Sequence, residues 1–65
     1  MVYEIFNGEC FITFTILRLY DTEIYVVVEK EGRIMYRTYD LYESSKGLYF
    51  MYGPESVKIF INDFE

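Results

Sequence analysis

The sequence predicts an all-β protein, a five- to six-stranded antiparallel meander or small SH3-like barrel. One short helix near the C-terminus would turn it into an α+β variant. Three features lead there. Turn-forming residues recur at short intervals, as Asn7-Gly8-Glu9, Asp21-Thr22, Glu31-Gly32, Ser44-Ser45-Lys46-Gly47 and Gly53-Pro54-Glu55-Ser56, and such spacing reads as a meander. The segments between these turns are rich in Ile, Val, Tyr, Phe and Thr, whose branched or aromatic side chains suit a pleated surface. Alanine, the best helix former, is absent.

Strands are expected near residues 2–6, 10–20, 23–30, 33–42, 48–52 and 57–62. The clearest is 23–30, where Ile24, Val26 and Val28 alternate with Glu23, Tyr25, Val27 and Glu29, the period of two that separates the faces of a strand. Lys30-Glu31-Gly32-Arg33 then closes a tight hairpin, with Gly32 free to take positive φ. In 10–20, Cys10, Ile12, Phe14 and Ile16 share one face, and Phe11, Thr13, Thr15 and Leu17 the other. Asp40 to Gly47 reads as a loop rather than a helical turn, because of Gly47 and the serines. The last segment carries two patterns. Val57, Ile59 and Ile61 alternate as in a strand, whereas Val57, Phe60, Ile61 and Phe64 match helical spacing. Asp63 and Glu65 would lie at the negative end of such a helix, which favours the strand. Ile12, Phe14, Ile16, Ile24, Val26, Val28, Ile59 and Ile61 are the expected core, with Cys10 as a small inward-facing residue.

The chain has 65 residues, 11 acids, 6 bases, no histidine and one cysteine, for a net charge of −5. A chain this short is one domain and buries only about 60% of the surface that its unfolded form exposes. An internal disulfide is not available, and the thiolate and imidazole ligands of a structural zinc are missing. Dense aromatic packing and association with another chain remain as sources of stability, and 22% of the residues are aromatic. The acidic balance disfavours direct binding to nucleic acid and to anionic membranes. The longest apolar stretch, Cys10 to Tyr20, is broken by Thr13, Thr15 and Arg18, short of the roughly 18 apolar residues of a membrane span. Met1 to Glu9 lacks a basic region and carries an early Glu4, so no signal peptide is expected. A lone cysteine without an export signal suits a reducing cytoplasm, that of the host if the chain is viral.

Catalysis is not expected. Cys10 has no histidine partner and neighbours Glu9, which disfavours its thiolate. Ser44, Ser45 and Ser56 fall in turn sequences with no base to activate them. The four glycines are isolated and form no phosphate loop, and no alternating Asp/Asn calcium loop is present. No catalytic, cofactor-binding or metal-binding residue is therefore assigned.

The apolar residues exceed what one core face needs. Phe11, Leu17, Tyr25, Val27 and Phe60 fall on the second face of the expected sheet. Together they would surpass the few hundred Å² of apolar patch that soluble monomers expose. A curled sheet, a homodimer or another protein would cover them. Tyrosines are interleaved with acids in Tyr20-Asp21-Thr22-Glu23-Ile24-Tyr25 and Thr38-Tyr39-Asp40-Leu41-Tyr42-Glu43, opposite in sign to a nucleic-acid platform. The candidate protein-binding set is thus Phe11, Tyr25, Val27, Phe60, Tyr39 and Tyr42, with the acids Asp21, Glu23, Glu29 and Glu31. Acids two apart on a strand lie about 6.6–6.8 Å from each other, close to two rises of a DNA strand at ~3.4 Å each, so paired carboxylates can imitate phosphates.

In size, charge and aromatic content the chain resembles the small acidic phage proteins that block host DNA-repair or restriction enzymes, the inhibitors of uracil-DNA glycosylase among them. The resemblance is one of type rather than of family. It implies a non-enzymatic inhibitor or regulator whose partner is a nucleic-acid enzyme or DNA-binding protein. The wealth of A/T-rich codon residues fits a phage or low-GC bacterial source. The alternatives are a self-associating structural or assembly subunit, and an SH3-like module that binds an extended peptide over Tyr39, Tyr42 and Tyr52.

Overall fold

A computed structural model describes all 65 residues. Seven strands follow in order: β1 (Val2–Phe6), β2 (Phe11–Leu19), β3 (Glu23–Lys30), β4 (Arg33–Asp40), β5 (Tyr42–Ser44), β6 (Gly47–Tyr52) and β7 (Val57–Phe60), then a 3₁₀ turn at Ile61–Asp63. The protein is all-β, with two antiparallel sheets ordered β1-β2-β3-β4 and β5-β6-β7. Every strand pairs with its sequence neighbour except across Leu41, where the chain changes sheet. There the Leu41 N–H donates to the Thr22 carbonyl at 3.0 Å. At the opposite corner Val2 and Glu65 exchange two backbone hydrogen bonds of 2.8 and 3.0 Å. The two sheets thus form a barrel-like roll, joined through Leu41 and tied from β1 to the C-terminal segment by the Val2–Glu65 pair.

The turns explain the register. Asn7 accepts the N–H groups of Glu9 and Cys10 through its Oδ1, each at 2.9 Å, a side chain imitating a backbone turn. Glu31 and Gly32 both take positive φ, 51° and 78°, the two-residue turn whose twist matches antiparallel strands. That turn sets Lys30 against Arg33 and carries the pairing unbroken to Glu23 and Asp40.

The core lies between the sheets. It consists of Ile12, Phe14, Ile24, Val26, Val28, Phe50, Ile59, Ile61 and Phe64. Phe14 meets Phe50 edge-on at 5.8 Å and Tyr52 at 5.0 Å, and Tyr39 stacks on Phe50 at 4.9 Å. With only 9 of 65 residues buried, these ring contacts add to the burial of the aliphatic core. Aromatic pairs contribute about 0.5–1.5 kcal/mol each beyond their buried area.

Several expectations need correction. The expected strand 33–42 ends at Asp40, and the expected loop after it contains a three-residue strand, Tyr42–Ser44. The last segment divides: Val57–Phe60 is strand, and the 3₁₀ turn then brings Phe64 into the core. Ile16 and Cys10 are half-buried rather than core residues, with Ile16 packed against the core and next to the bulge that ends the regular pairing of β2, and Cys10 in the turn before β2. Phe50 and Phe64 complete the core, and neither was anticipated in it. The alternation in β2 also breaks. Ile16 pairs with Val26, but Arg18 pairs with Tyr25 and Leu19 with Ile24. Leu17 is the extra residue of a β-bulge, which reverses the faces beyond it. Arg18 therefore shares the outer face with Tyr25, and Leu19 turns to the side of Ile24.

Candidate functional site

Residues directly opposite in an antiparallel pair project from the same face, so the register assembles the outer face of the four-stranded sheet row by row. The central row is Val2, Thr15, Val27 and Tyr36. On one side of it lies Glu4, Thr13, Glu29 and Ile34, followed by Phe6 and Phe11. On the other side lies Arg18, Tyr25 and Thr38, followed by Glu23 and Asp40. Most of the apolar members are open to solvent, with Tyr36 71% exposed, Phe11 and Ile34 each 60% and Phe6 58%, while Val27 is half-buried. Curling of the sheet therefore does not hide them.

Three contacts order this surface. Phe6 packs against Phe11 with ring centres 5.0 Å apart, and Tyr20 meets Tyr25 edge-on at 5.2 Å. Thr13 donates from Oγ1 to Glu4 Oε2 at 3.3 Å, which holds that carboxylate beside the apolar row. The face carries Glu4, Glu23, Glu29 and Asp40 against Arg18 alone, a net charge of 1 − 4 = −3. An exposed apolar centre with an acidic border has the anatomy of a protein interface.

The sequence-assigned residues divide among three places. Phe11, Tyr25, Val27, Glu23 and Glu29 come together on this face. Asp21 lies in the turn before β3, at the Glu23 end. Glu31 lies in the turn at the other end and lines a separate cleft. Asp21 and Glu23 are thus parted from Glu29 and Glu31 by the length of β3, with Tyr25 and Val27 between them. The acids frame the patch and do not form one phosphate-like row.

Phe60 does not join Phe11, Tyr25 and Val27. It lies on the outward face of the three-stranded sheet in a row with Tyr42 and Tyr49. Ring centres in that row are 5.7 and 5.3 Å apart, and Lys58 Nζ lies 5.0 Å from the Tyr49 ring centre. Tyr39 faces inward on Phe50. Tyr39 and Tyr52 line one cleft, but Tyr42 is not part of it, so the three tyrosines of the SH3-like alternative do not form one groove.

Sequence reasoning missed Ile34, Tyr36, Val2 and Phe6 as members of the outer face. The alternation of Ile34 and Tyr36 with Met35 and Arg37 was a usable signal. Pairing β4 with β3 through the Glu31-Gly32 turn would have placed them beside Glu29 and Val27.

Cys10 is half-buried, and its Sγ donates to Glu31 Oε1 at 3.5 Å. Partial burial and the hydrogen-bonded Glu31 carboxylate push its thiol pKa up, which opposes thiolate chemistry. No group of three or more Cys, Asp or Glu side chains converges as a metal site. Comparison with protein-family models, curated proteins and solved structures finds no match.

Proposed function

We propose that this is a non-enzymatic binding protein that inhibits or regulates another protein by docking the outer face of its four-stranded sheet. The observation that carries the reading is the row of exposed Val2 and Tyr36 about half-buried Val27, with exposed Phe11, Tyr25 and Ile34 beside it, bordered by Glu4, Glu23, Glu29 and Asp40. The rings supply contact area at low entropy cost, and the acids select a partner whose rim is basic. Nucleic-acid enzymes and DNA-binding proteins have such surfaces, and they are the proposed partner class. The acids act here as a frame that steers the partner onto the rings rather than as a copy of a DNA backbone.

The test uses the whole chain as bait in lysate of the organism that supplies it. A Tyr25→Glu/Tyr36→Glu variant that remains folded serves as control. Capture of a basic nucleic-acid protein by the wild type, lost with the variant and weakened by raised salt, is the expected outcome. Capture that survives both changes would refute the docking face.

A further inference from the structure

The strongest unused feature is a second site, a cleft of about 490 Å³ on the core side of β3 and β4. It is independent of the outer face. Lys30, Arg33 and Arg37 line it together with a single acid, Glu31, giving the lining a net charge of 3 − 1 = +2. Half of the bases of an acidic chain thus converge on one concavity. The chain's own side-chain hydrogen bonds leave Lys30 and Arg33 unused and give Arg37 only the Met35 sulfur, at 3.4 Å, a weak acceptor.

The spacing of the cations defines what fits. Lys30 and Arg33 are opposite each other across the hairpin, whereas Arg33 and Arg37 are four residues apart on one strand, about 13–14 Å along its axis. Met35 lies between them on the same face. A compact anion does not span that distance, but an extended peptide with two acids four residues apart does. Moreover, β4 is an edge strand of the four-stranded sheet. A strand added beside it would present every second side chain to the cleft.

We propose that β4 receives an acidic peptide segment in extended form, of the pattern acid-x-apolar-x-acid. Its acids face Arg37 and Arg33, its apolar residue covers Met35, and Lys30 adds to the second acid. A second copy of β4 is a poor occupant. Antiparallel pairing centred on Met35 sets Arg33 against Arg37 twice, and like charges directly opposite are destabilising. The arginines that repel another β4 are those that admit an acidic strand.

Inward charges on an edge strand also serve simply to block edge-to-edge aggregation, and the experiment separates the two roles. The probe is a fluorescein-labelled peptide, Thr-Glu-Thr-Val-Thr-Glu-Thr, with its Gln-for-Glu counterpart as control. Anisotropy and amide NMR are read on the intact protein at low salt. Binding with amide shifts confined to β4 and Tyr52 is expected. The Gln peptide should bind roughly fivefold to tenfold more weakly, the scale of two solvent-accessible ion pairs. Arg33→Gln and Arg37→Gln should each weaken the Glu peptide but leave the Gln peptide unchanged, a pattern that misfolding would not produce. Equal binding of the two peptides, shifts on the outer face, or no binding at millimolar peptide would overturn the proposal. Aggregation of the arginine variants without any peptide binding would assign these residues to edge protection alone.

Discussion

At the scale of the residue, the tyrosines answer to position rather than to type. Tyr3 packs on Phe64, Tyr39 on Phe50 and Tyr52 on Phe14, so three of the eight phenols extend the small core at its margin. Tyr25 and Tyr36 are exposed on the candidate docking face, and Tyr42 and Tyr49 stack on the back of the second sheet. A phenol suits each place, since its ring packs while its hydroxyl reaches water. Tyr39 is the one whose acidity reports its surroundings. Burial and the neighbouring Tyr52 push its pKa above the ordinary value of 10.0, against an opposing pull from Arg37. Because the folded-state pKa is raised, the stabilisation from neutral Tyr39 is complete below pH 10 and is lost as the pH rises through the higher folded value. Ultraviolet titration of the folded protein should therefore contain a late phenol phase from Tyr39 above pH 10, with unfolding promoted in the same range. Tyr39→Phe should remove that late phase, and a late phase that persists would assign it to another residue.

At the scale of the element, the strands that the sequence discloses are those whose burial has period two. β3 was fully legible, because Ile24, Val26 and Val28 are completely buried while Glu23, Tyr25, Val27 and Glu29 face out. The bulge at Leu17 was not, since an inserted residue in an apolar run leaves the composition unchanged and shows only in the partner's register. β5 was hidden for a different reason. It has three residues, and the serines and glycine that close its hairpin are the usual marks of a loop. The structure there depends on Gly47, which has φ 112°. A Cβ at that position would approach Asn62 Nδ2 to 2.8 Å, while the Asn62 amide donates to the Lys46 carbonyl at 3.4 Å. Gly47→Ala should thus cost about 1–3 kcal/mol from backbone strain alone, lowering the melting temperature by roughly 4–8 °C per kcal/mol in a domain of this size. Adding Asn62→Ala relieves the crowding but not the φ. The double variant should stay well below the wild type in thermal melts. Full recovery would mean that crowding, not conformation, is what Gly47 avoids.

At the scale of the whole molecule, charge is segregated, and this sets how the candidate face would respond to a charged partner. Phe11, Tyr25 and Val27 could be grouped from alternation alone, but Phe60 could not be separated from them, because which sheet a strand joins is a tertiary fact. The same is true of the charges. The outer face holds four acids and one base, whereas three bases gather in the cleft on the other side of the sheet. Self-association through the outer face would bury apolar side chains at about 1.5–3 kcal/mol for each one covered. It would also bring Glu4, Glu23, Glu29 and Asp40 of one copy against those of the other. That repulsion is screened at distances beyond the ~10 Å Debye length of 0.1 M salt and more strongly at higher salt. A basic partner feels the reverse, since salt weakens the attraction that steers it. Homodimer and hetero-complex should therefore respond to salt in opposite directions while using one surface. If the outer face self-associates, sedimentation of the pure protein from low to high salt should show a dimer fraction that rises, and Tyr25→Glu/Val27→Glu should abolish it. A dimer that dissociates as salt is added would place the self-contact elsewhere, with the acidic face of one copy against the basic cleft of the next, an arrangement that propagates head to tail instead of closing as a pair.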